Sequence, residues 1–545
     1  MQSTMADGDL TIGRLLRYGG TVQGRGTVRT WTGADTRSET YAEVATRAGR
    51  LASALRSLGI DGDQRVATFM WNNNEHLEAY LGIPAMGAVL HTLNIRLAPE
   101  QLSYVVNHAQ DSVIIVDATV LPLLEPVLPT MDSVRHVVVV GGDPATLEAP
   151  AGVTVHGYDE LLDAHEPQTD WPALDERSAA ALCYTSGTTG DPKGVAYSHR
   201  SIWLHSMQVC AAQTMALTAR DTVLAVVPMF HAMSWGLPYA AMMSGASLVM
   251  PDRYLQPEPL AAIMQAERPT FAAAVPTIWQ GLNAQLEQHP QDISHLREVI
   301  VGGSACPPSL MRAFEERYDV PVIQAWGMTE TSPLGSVARV PSWAEGDEAW
   351  ALRTGQGQFP ASVEARIVDD AGSVLPWDDE AVGELEVTGP WIADSYYSPD
   401  GQSDALQANF DDGWLRTGDV GRITPDGFLT LTDRAKDVIK SGGEWISSVE
   451  LENILMGHPD VVEAAAIAIP DEKWQERPLM TVVLKDGSST TTEQLRDYLA
   501  PHLAKWQLPD SWAYIDEVPK TSVGKFDKKR LRARFQEGDL TVEHL

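Results

Sequence analysis

Apolar residues recur at helical spacing from Tyr41 to Leu58, where Ala45, Ala48, Leu51, Leu55 and Leu58 fall on one face. The runs that follow are shorter and rich in β-branched residues. Arg65 to Phe69, Ser112 to Val116 and His136 to Val140 read as strands, the last ending at Gly141-Gly142. Such alternation predicts a parallel sheet with helices on both faces. It resumes with the apolar run Ala179 to Cys183. Val223 to Val227 and Leu248 to Met250 are further strand candidates. Glu298 to Val301 ends in Gly302-Gly303-Ser304, and Pro321 to Ala325 ends in Trp326-Gly327.

The texture changes near residue 355. Val363 to Val368, Gly383 to Val387, Gly421 to Ile423 and Phe428 to Leu431 are short alternating segments, separated by turn pairs such as Asp412-Gly413 and Asp426-Gly427. They predict a small antiparallel unit of distorted-barrel type. A second change falls at D-R-A-K-D, 433–437. Beyond it, Ser448 to Gly457 and Thr492 to Leu503 read as helices, and Val462 to Ile469 and Thr481 to Leu484 as strands. The expected fold is α/β: a large N-terminal part of two sheet subdomains and a small distorted β-barrel (1–433, the barrel from about 355), then a junction at 434–437, then an α+β module at 438–545 of ordinary domain size.

Composition narrows the function. The chain has 545 residues, 44% hydrophobic and 21% charged, so a large buried interior is expected. The net charge of −33 speaks against a nucleic-acid binder and against attraction to anionic lipid. An anionic ligand needs a locally positive site inside this acidic envelope. The three cysteines, Cys183, Cys210 and Cys306, lack metal or redox spacing, and Met1 to Leu10 is too polar for a signal peptide, so a cytoplasmic location is expected. No charged residue lies between Asp221 and Asp252, yet Pro228, His231, Gly236, Pro238 and Gly245 punctuate the stretch. It reads as buried core and ligand-facing loop, not a membrane span.

The densest chemical signal is Y-T-S-G-T-T-G-D-P-K-G at 184–194. Gly187, Gly190 and Gly194 let backbone N–H groups approach phosphate oxygens, because no Cβ intervenes. Thr185, Ser186, Thr188 and Thr189 add hydroxyls, and Lys193 adds a positive charge. A Walker A loop reads G-x-x-x-x-G-K-[ST], with a metal-binding hydroxyl after the lysine. Here Gly194 follows Lys193, so the segment points to a nucleotide phosphate but not to a P-loop NTPase.

Other segments carry weaker signals singly. W-G-M-T-E at 326–330 sets a hydroxyl beside a carboxylate. Mg²⁺ carrying ATP phosphates takes one or two protein ligands, a place Glu330 suits, with Thr329 beside a phosphate. The same pair is also a common helix start. Asp419, in T-G-D at 417–419, suits the two hydroxyls of a ribose, or the capping of a turn. Lys440, Gly442 and Gly443 join charge to bare backbone, which makes a tight turn or lets a thin ligand pass. Lys525 lies in a Gly-containing loop (P-K-T-S-V-G-K, 519–525) from which a flexible arm can reach another domain. The basic residues after Phe526 (Lys528, Lys529, Arg530, Arg532 and Arg534) read as a solvated helix face.

In this order and at these separations, the segments resemble the adenylate-forming superfamily: acyl-CoA synthetases, adenylation domains of peptide synthetases and beetle luciferases. The resemblance runs from about residue 30 to 535. P-M-F-H-A-M-S-W-G-L-P at 228–238, K-S-G-G-E-W-I-S-S at 440–448 and K-W-Q-E-R-P at 473–478 are most similar to bacterial medium- and long-chain fatty acyl-CoA synthetases, whose relatives also include enzymes for short sulfur-containing acids.

The resemblance implies a two-step reaction, in which a carboxylate attacks the α-phosphorus of Mg-ATP and the thiol of coenzyme A then displaces AMP. It assigns Thr185, Ser186, Gly187, Thr188, Thr189 and Lys193 to the phosphates. Glu330 goes to Mg²⁺, together with Thr185, and Thr329 to a phosphate. Trp326, Gly327, Gly302, Gly303 and Ser304 fall to the nucleotide and acyl group, and Asp419 and Arg434 to the ribose. Lys525 stabilises charge during adenylation. His231, Trp235 and Gly303 border the acyl tunnel, with Trp235 as its gate. Lys440, Gly442, Gly443 and Trp445 line the coenzyme A path, and Lys436 is the hinge of a mobile C-terminal domain. His231 is also a candidate thiol base, although a free thiol is already a few per cent ionised at neutral pH.

Three features depart from the pattern. Trp326 replaces the Tyr of many relatives, keeping a flat face but changing the polar handle. Ala232, Met233 and Ser234 stand where substrate size is set. Ser342 to Arg353 has no readable function. The expected partners are a carboxylic acid, ATP and coenzyme A, with no nucleic acid and no transmembrane segment, and a homodimer is admitted. The competing readings are an enzyme of this fold specialised for one half-reaction or a carrier-protein acceptor, a ligase for a short or bulky non-fatty acid, and a nucleotide-binding protein without turnover. The intact lysines and Glu330 oppose the last.

Overall fold

The computed structural model describes the chain apart from residues 2, 7, 186–190, 401–407, 443 and 522–523. Among the described residues the strands form three sheets. The first runs Thr154–Gly157, His136–Val140, Val113–Asp117, Arg65–Phe69, Val89–Thr92, Ala179–Tyr184, Gly194–Ser198, with every neighbouring pair parallel except the last. Its centre is made of apolar runs because helices cover both faces. Helix Tyr41–Ser57 packs on helix Asn74–Ala85 and is started by a capping box in which Thr40 and Glu43 bond reciprocally. Helix Asn74–Ala85 is buried at every residue.

In the second sheet, parallel strands Ser247–Met250, Thr222–Leu224, Phe271–Ala274, Glu298–Val301 and Val322–Trp326 form the middle. The hairpin of Thr27–Trp31 and Thr36–Thr40 lies at one edge. At the other edge the ladder continues antiparallel through Ser336–Val337, Gly357–Gln358, Phe428–Arg434, Trp414–Ile423, Gly383–Thr388 and Glu364–Val368. The small antiparallel unit thus grows directly from the edge that carries Trp326.

The third sheet is built on the hairpin of Val461–Asp471 and Gln475–Leu484, flanked by helices Ser448–Leu455, Thr492–Leu499 and Lys528–Glu537. Its apolar core, with Leu451, Leu455, Met480, Leu495 and Trp512, is separate from the N-terminal cores. No helix among the described residues is long and apolar enough to cross a membrane.

Several elements differ from expectation for visible reasons. The strand expected over Val223 to Val227 stops at Leu224, because the Asn72 amide donates to the carbonyls of Ala225 and Val227 at 2.7 and 2.8 Å. The helix expected to Leu503 ends at Leu499, just before Pro501. The strand expected from Thr481 begins at Gln475, where buried Arg477 is held by Asp510 at 2.6 Å and by the Leu508 carbonyl at 2.6 Å. The segment without a readable function forms helix Gly346–Thr354, whose Trp350 ring lies 4.2 Å below the Arg312 guanidinium. That contact and the Arg353–Glu315 ion pair fasten it to the back of the second sheet.

Candidate active site

A cavity of about 730 Å³ opens at the carboxyl ends of Glu298–Val301 and Val322–Trp326 and extends between the N-terminal sheets and the C-terminal module. Open α/β sheets take ligands at this place, where loops leave the strands together.

The loop at 184–194 joins two antiparallel strands, with Tyr184 opposite Gly194. Thr185 N–H donates to the Lys193 carbonyl at 2.9 Å, and Lys193 N–H to Thr185 Oγ1 at 3.1 Å, which closes the neck. A P-loop runs from strand to helix. This one is a hairpin, which accounts for a strand glycine, not a hydroxyl, after the lysine. Gly194 allows the 396–397 segment to approach, since a Cβ there would meet the Tyr397 Cβ at 3.3 Å. Thr185 and Lys193 line the cavity. Ser186, Gly187, Thr188 and Thr189 lie outside the described residues.

Trp326, Gly327, Thr329 and Glu330 line the same cavity. The Trp326 indole N–H donates to Asp419 Oδ2 at 2.8 Å, so the polar handle that distinguishes it from Tyr orients a carboxylate. The other Asp419 oxygen pairs with Arg434 Nε at 2.7 Å, the two residues facing each other across a ladder. A carboxylate has about four acceptor sites, so the buried Asp419 keeps capacity for hydroxyl donors. Buried Glu330 accepts from the Tyr396 hydroxyl at 2.7 Å. No group of three His, Cys, Asp or Glu side chains able to hold a metal occurs among the described residues. A lone carboxylate suits a Mg²⁺ that takes its other ligands from phosphate and water.

Lys525 enters this cavity from the C-terminal module. Its Cε would lie 3.2 Å from a Cβ at Gly303, which the bare glycine with φ +84° leaves open. The Thr277 hydroxyl donates to the Gly524 carbonyl at 3.3 Å and ties the loop to the N-terminal part. Burial lowers the Lys525 pKa to about 8, with Arg434 acting in the same direction and Asp419 and Glu330 opposing. The basic helix that follows is not simply a solvated face. Lys528 is half-buried, 2.8 Å from Glu452, and Arg532 pairs with Asp437 at 2.7 Å, because the helix packs onto the 433–437 junction.

The far end of the cavity is less polar. His231, Ala232, Trp235, Gly302, Ala325 and Leu334 line it. A Cβ at Gly302 would sit 3.1 Å from the Trp235 ring, so the indole lies directly on that glycine. Trp235 closes a left-handed turn, Ala232 to Trp235, with φ values of 42°, 53°, 52° and 55°. Each such non-glycine residue costs about 1–2 kcal/mol, and strain of this kind gathers at ligand sites. Burial pushes the His231 pKa down to about 3, with Lys525 and Arg96 adding to it. The imidazole is therefore neutral at pH 7 and a weak proton acceptor, which disfavours a role as thiol base, and it stands in the cavity wall.

The structure does not bring every expected residue to the cavity. Lys440, Gly442 and Trp445 lie on the hairpin of Ile439–Ser441 and Glu444–Ile446, with Lys440 and Trp445 exposed, and none of the three lines the cavity. Gly443 lies outside the described residues. Lys436 is exposed at the cavity rim. Tyr396 and His205 were not anticipated. Both line the cavity through contacts between residues distant in sequence.

Residues 22–397 match the family model described as AMP-binding enzyme, and residues 450–525 match that of the AMP-binding enzyme C-terminal domain. The chain is 44% identical over 503 residues to a 3-methylmercaptopropionyl-CoA ligase of Ruegeria lacuscaerulensis, covering 91% of this chain and 92% of the relative. It is 43% identical over 547 residues to a medium-chain-fatty-acid–CoA ligase of Ectopseudomonas oleovorans, covering 99% and 98%. The crystal structure of an anthranilate CoA ligase in complex with anthranoyl-AMP shares the fold with a TM-score of 0.88 at 24% identity, covering 99% of this chain and 100% of that one.

Proposed function

This chain belongs to the AMP-binding enzyme family and is an AMP-forming acid–thiol ligase that uses ATP, Mg²⁺ and coenzyme A; from that premise we propose that its acid is a hydrophobic one of medium to long chain. The observation that supports this reading is the less polar stretch of the cavity lining around Trp235, Ala232, Ala325 and Leu334, in one cavity with Lys193, Glu330, Asp419 and Lys525.

In the first half-reaction a carboxylate oxygen attacks the α-phosphorus. The bond from that phosphorus to the bridging oxygen breaks, and pyrophosphate leaves. Thr185 and Lys193 bind the β- and γ-phosphates, and Thr329 touches a phosphate oxygen. Glu330 would hold Mg²⁺, which would neutralise phosphate charge when bound. Asp419, oriented by Trp326 and Arg434, accepts the ribose hydroxyls. Gly302, Gly303 and Ser304 border adenine and the acyl carboxylate. Lys525 places its cation between carboxylate and phosphate, where negative charge gathers in the transition state. In the second half-reaction the thiolate attacks the acyl carbon, the carbon–oxygen bond to AMP breaks, and AMP departs.

The second step needs a different face of the C-terminal module. With Lys525 inside the cavity and Lys440, Gly442 and Trp445 outside its lining, the arrangement suits adenylation. Rotation of 438–545 on 1–433 about Lys436, in the 434–437 junction, would withdraw Lys525 and bring their hairpin to the acyl-AMP. A short thioether acid is the second reading, supported by the likeness to the Ruegeria ligase. A panel of linear acids from two to sixteen carbons with 3-methylmercaptopropionate, scored separately for acyl-AMP and acyl-CoA by mass spectrometry, decides. Highest kcat/KM among the medium and long chains is expected. A maximum at the thioether acid or at acetate refutes the fatty-acid reading.

A further inference from the structure

We propose that Tyr396 is a positioning residue for adenylation, one side chain that sets both opposite charges at the triphosphate end of the site. This rests on the assignment of Glu330 to Mg²⁺ and Lys193 to phosphate. Tyr396 is buried, and its O–H donates to Glu330 Oε1 at 2.7 Å. Asn409 Nδ2 donates in turn to the Tyr396 oxygen at 3.3 Å, so the hydroxyl hydrogen is directed at the carboxylate. On the ring side, the Lys193 ammonium lies 4.6 Å from the ring centroid. The Phe410 ring meets Tyr396 edge-on, with centroids 5.2 Å apart, and fixes its plane.

The backbone explains how one residue reaches both groups. Tyr397 forms an antiparallel bridge with Gly194, its N–H donating to the Gly194 carbonyl at 2.8 Å. This lays the 395–397 segment beside the exit of the phosphate loop. Ala393 N–H donates to the Glu330 carbonyl at 2.8 Å, which anchors the same segment to the carboxylate's own backbone. With one oxygen of Glu330 held, the other is free to meet a cation without the carboxylate first losing rotational freedom. Groups that orient a metal ligand in this way are typically worth about 10–100-fold in metal affinity. The ring meanwhile holds the ammonium where a phosphate will arrive, a contact that needs no hydroxyl.

The two functions separate by substitution. Tyr396→Phe keeps the ring over Lys193 and removes the hydroxyl, whereas Tyr396→Leu removes both. In Tyr396→Phe the free Mg²⁺ for half-maximal pyrophosphate–ATP exchange should rise about tenfold or more. Calorimetric binding of ATP in excess EDTA should stay as in the wild type. Mn²⁺ binding to the enzyme–ATP complex, read by paramagnetic resonance, should weaken in parallel. Tyr396→Leu should additionally weaken ATP binding in EDTA. If the leucine variant fails to fold, the phenylalanine variant alone decides. Glu330→Gln is the control: a raised Mg²⁺ requirement there, with none in Tyr396→Phe, overturns the proposal. An unchanged requirement in Glu330→Gln overturns the Glu330 assignment on which it rests. Loss of EDTA-resistant ATP binding in Tyr396→Phe contradicts the separation of ring and hydroxyl.

Discussion

If Lys525 serves adenylation as a cation, it and the coenzyme A thiol should make the two half-reactions respond to pH in opposite directions. Burial against Gly303 and beside Arg434 lowers its pKa to about 8 in the free enzyme, from an ordinary lysine value near 10.4. The charged form is the working one, so the sign follows directly. Roughly nine-tenths of the enzyme is competent at pH 7, half at pH 8 and about a tenth at pH 9. The kcat/KM for ATP in pyrophosphate–ATP exchange should therefore fall about tenfold per unit above pH 8, because this quantity reports the free enzyme. Bound triphosphate favours the cation, so kcat should hold to higher pH. Transfer from supplied acyl-AMP to coenzyme A needs a thiolate with an ordinary pKa near 8.5, and it should rise over the same window. Lys525→Arg tests the assignment, since a guanidinium does not titrate in this range. That variant will be slower, but its alkaline limb near pH 8 should vanish. A limb that survives in Lys525→Arg, or a wild-type adenylation profile flat to pH 9.5, refutes the reasoning.

Other expectations follow from single contacts. Trp235→Ala removes the indole that lies on Gly302, and should shift the acid-chain-length profile of kcat/KM while leaving the KM for ATP within about twofold; an unchanged profile contradicts the gate. Gly442 has φ +63°, and a Cβ there would meet the Trp474 ring at 2.6 Å, so Gly442→Ala should raise the KM for coenzyme A and spare pyrophosphate–ATP exchange. Asp433 accepts from Ser448 N–H at 2.7 Å and from its hydroxyl at 2.5 Å, holding the first residue of helix Ser448–Leu455 across the 434–437 junction. Losing a hydrogen bond to a charged group costs about 1.5–3 kcal/mol. Asp433→Ala should slow adenylation several-fold without slowing transfer from supplied acyl-AMP, both read by single-turnover quench.

Much of the site was legible because its chemistry is local in sequence. The glycines, hydroxyls and lysine of 184–194 announce a phosphate loop wherever they fold, and Glu330, Asp419 and Lys525 sit in short segments of their own. What was hidden depends on tertiary contact. Tyr396 is one aromatic in a turn-rich stretch, and it gains its place from a bridge to Gly194, about two hundred residues earlier. The left-handed turn at 232–235 has no glycine until Gly236, so local preference points away from it. Lys528 looked solvated because its partners, Glu452 and Ser448, lie on another helix. His231 as a candidate base cannot be weighed from sequence, because its lowered pKa comes from desolvation and from Lys525 and Arg96, which are distant in the chain. Lys440, Gly442 and Trp445 lie on a hairpin away from the cavity lining, because no sequence pattern says which face of a module is turned toward a cavity.

The central claim is that Lys525 serves the making of acyl-AMP and not its use. Lys525→Ala, followed by mass spectrometry with ATP, Mg²⁺ and a hydrophobic acid, and separately with supplied acyl-AMP and coenzyme A, tests it most directly. Acyl-AMP formation should fall about 10²–10³-fold, as when a charge-stabilising group is removed, while thioester formation from acyl-AMP stays within a few-fold of the wild type. Equal losses in the two steps would contradict the account.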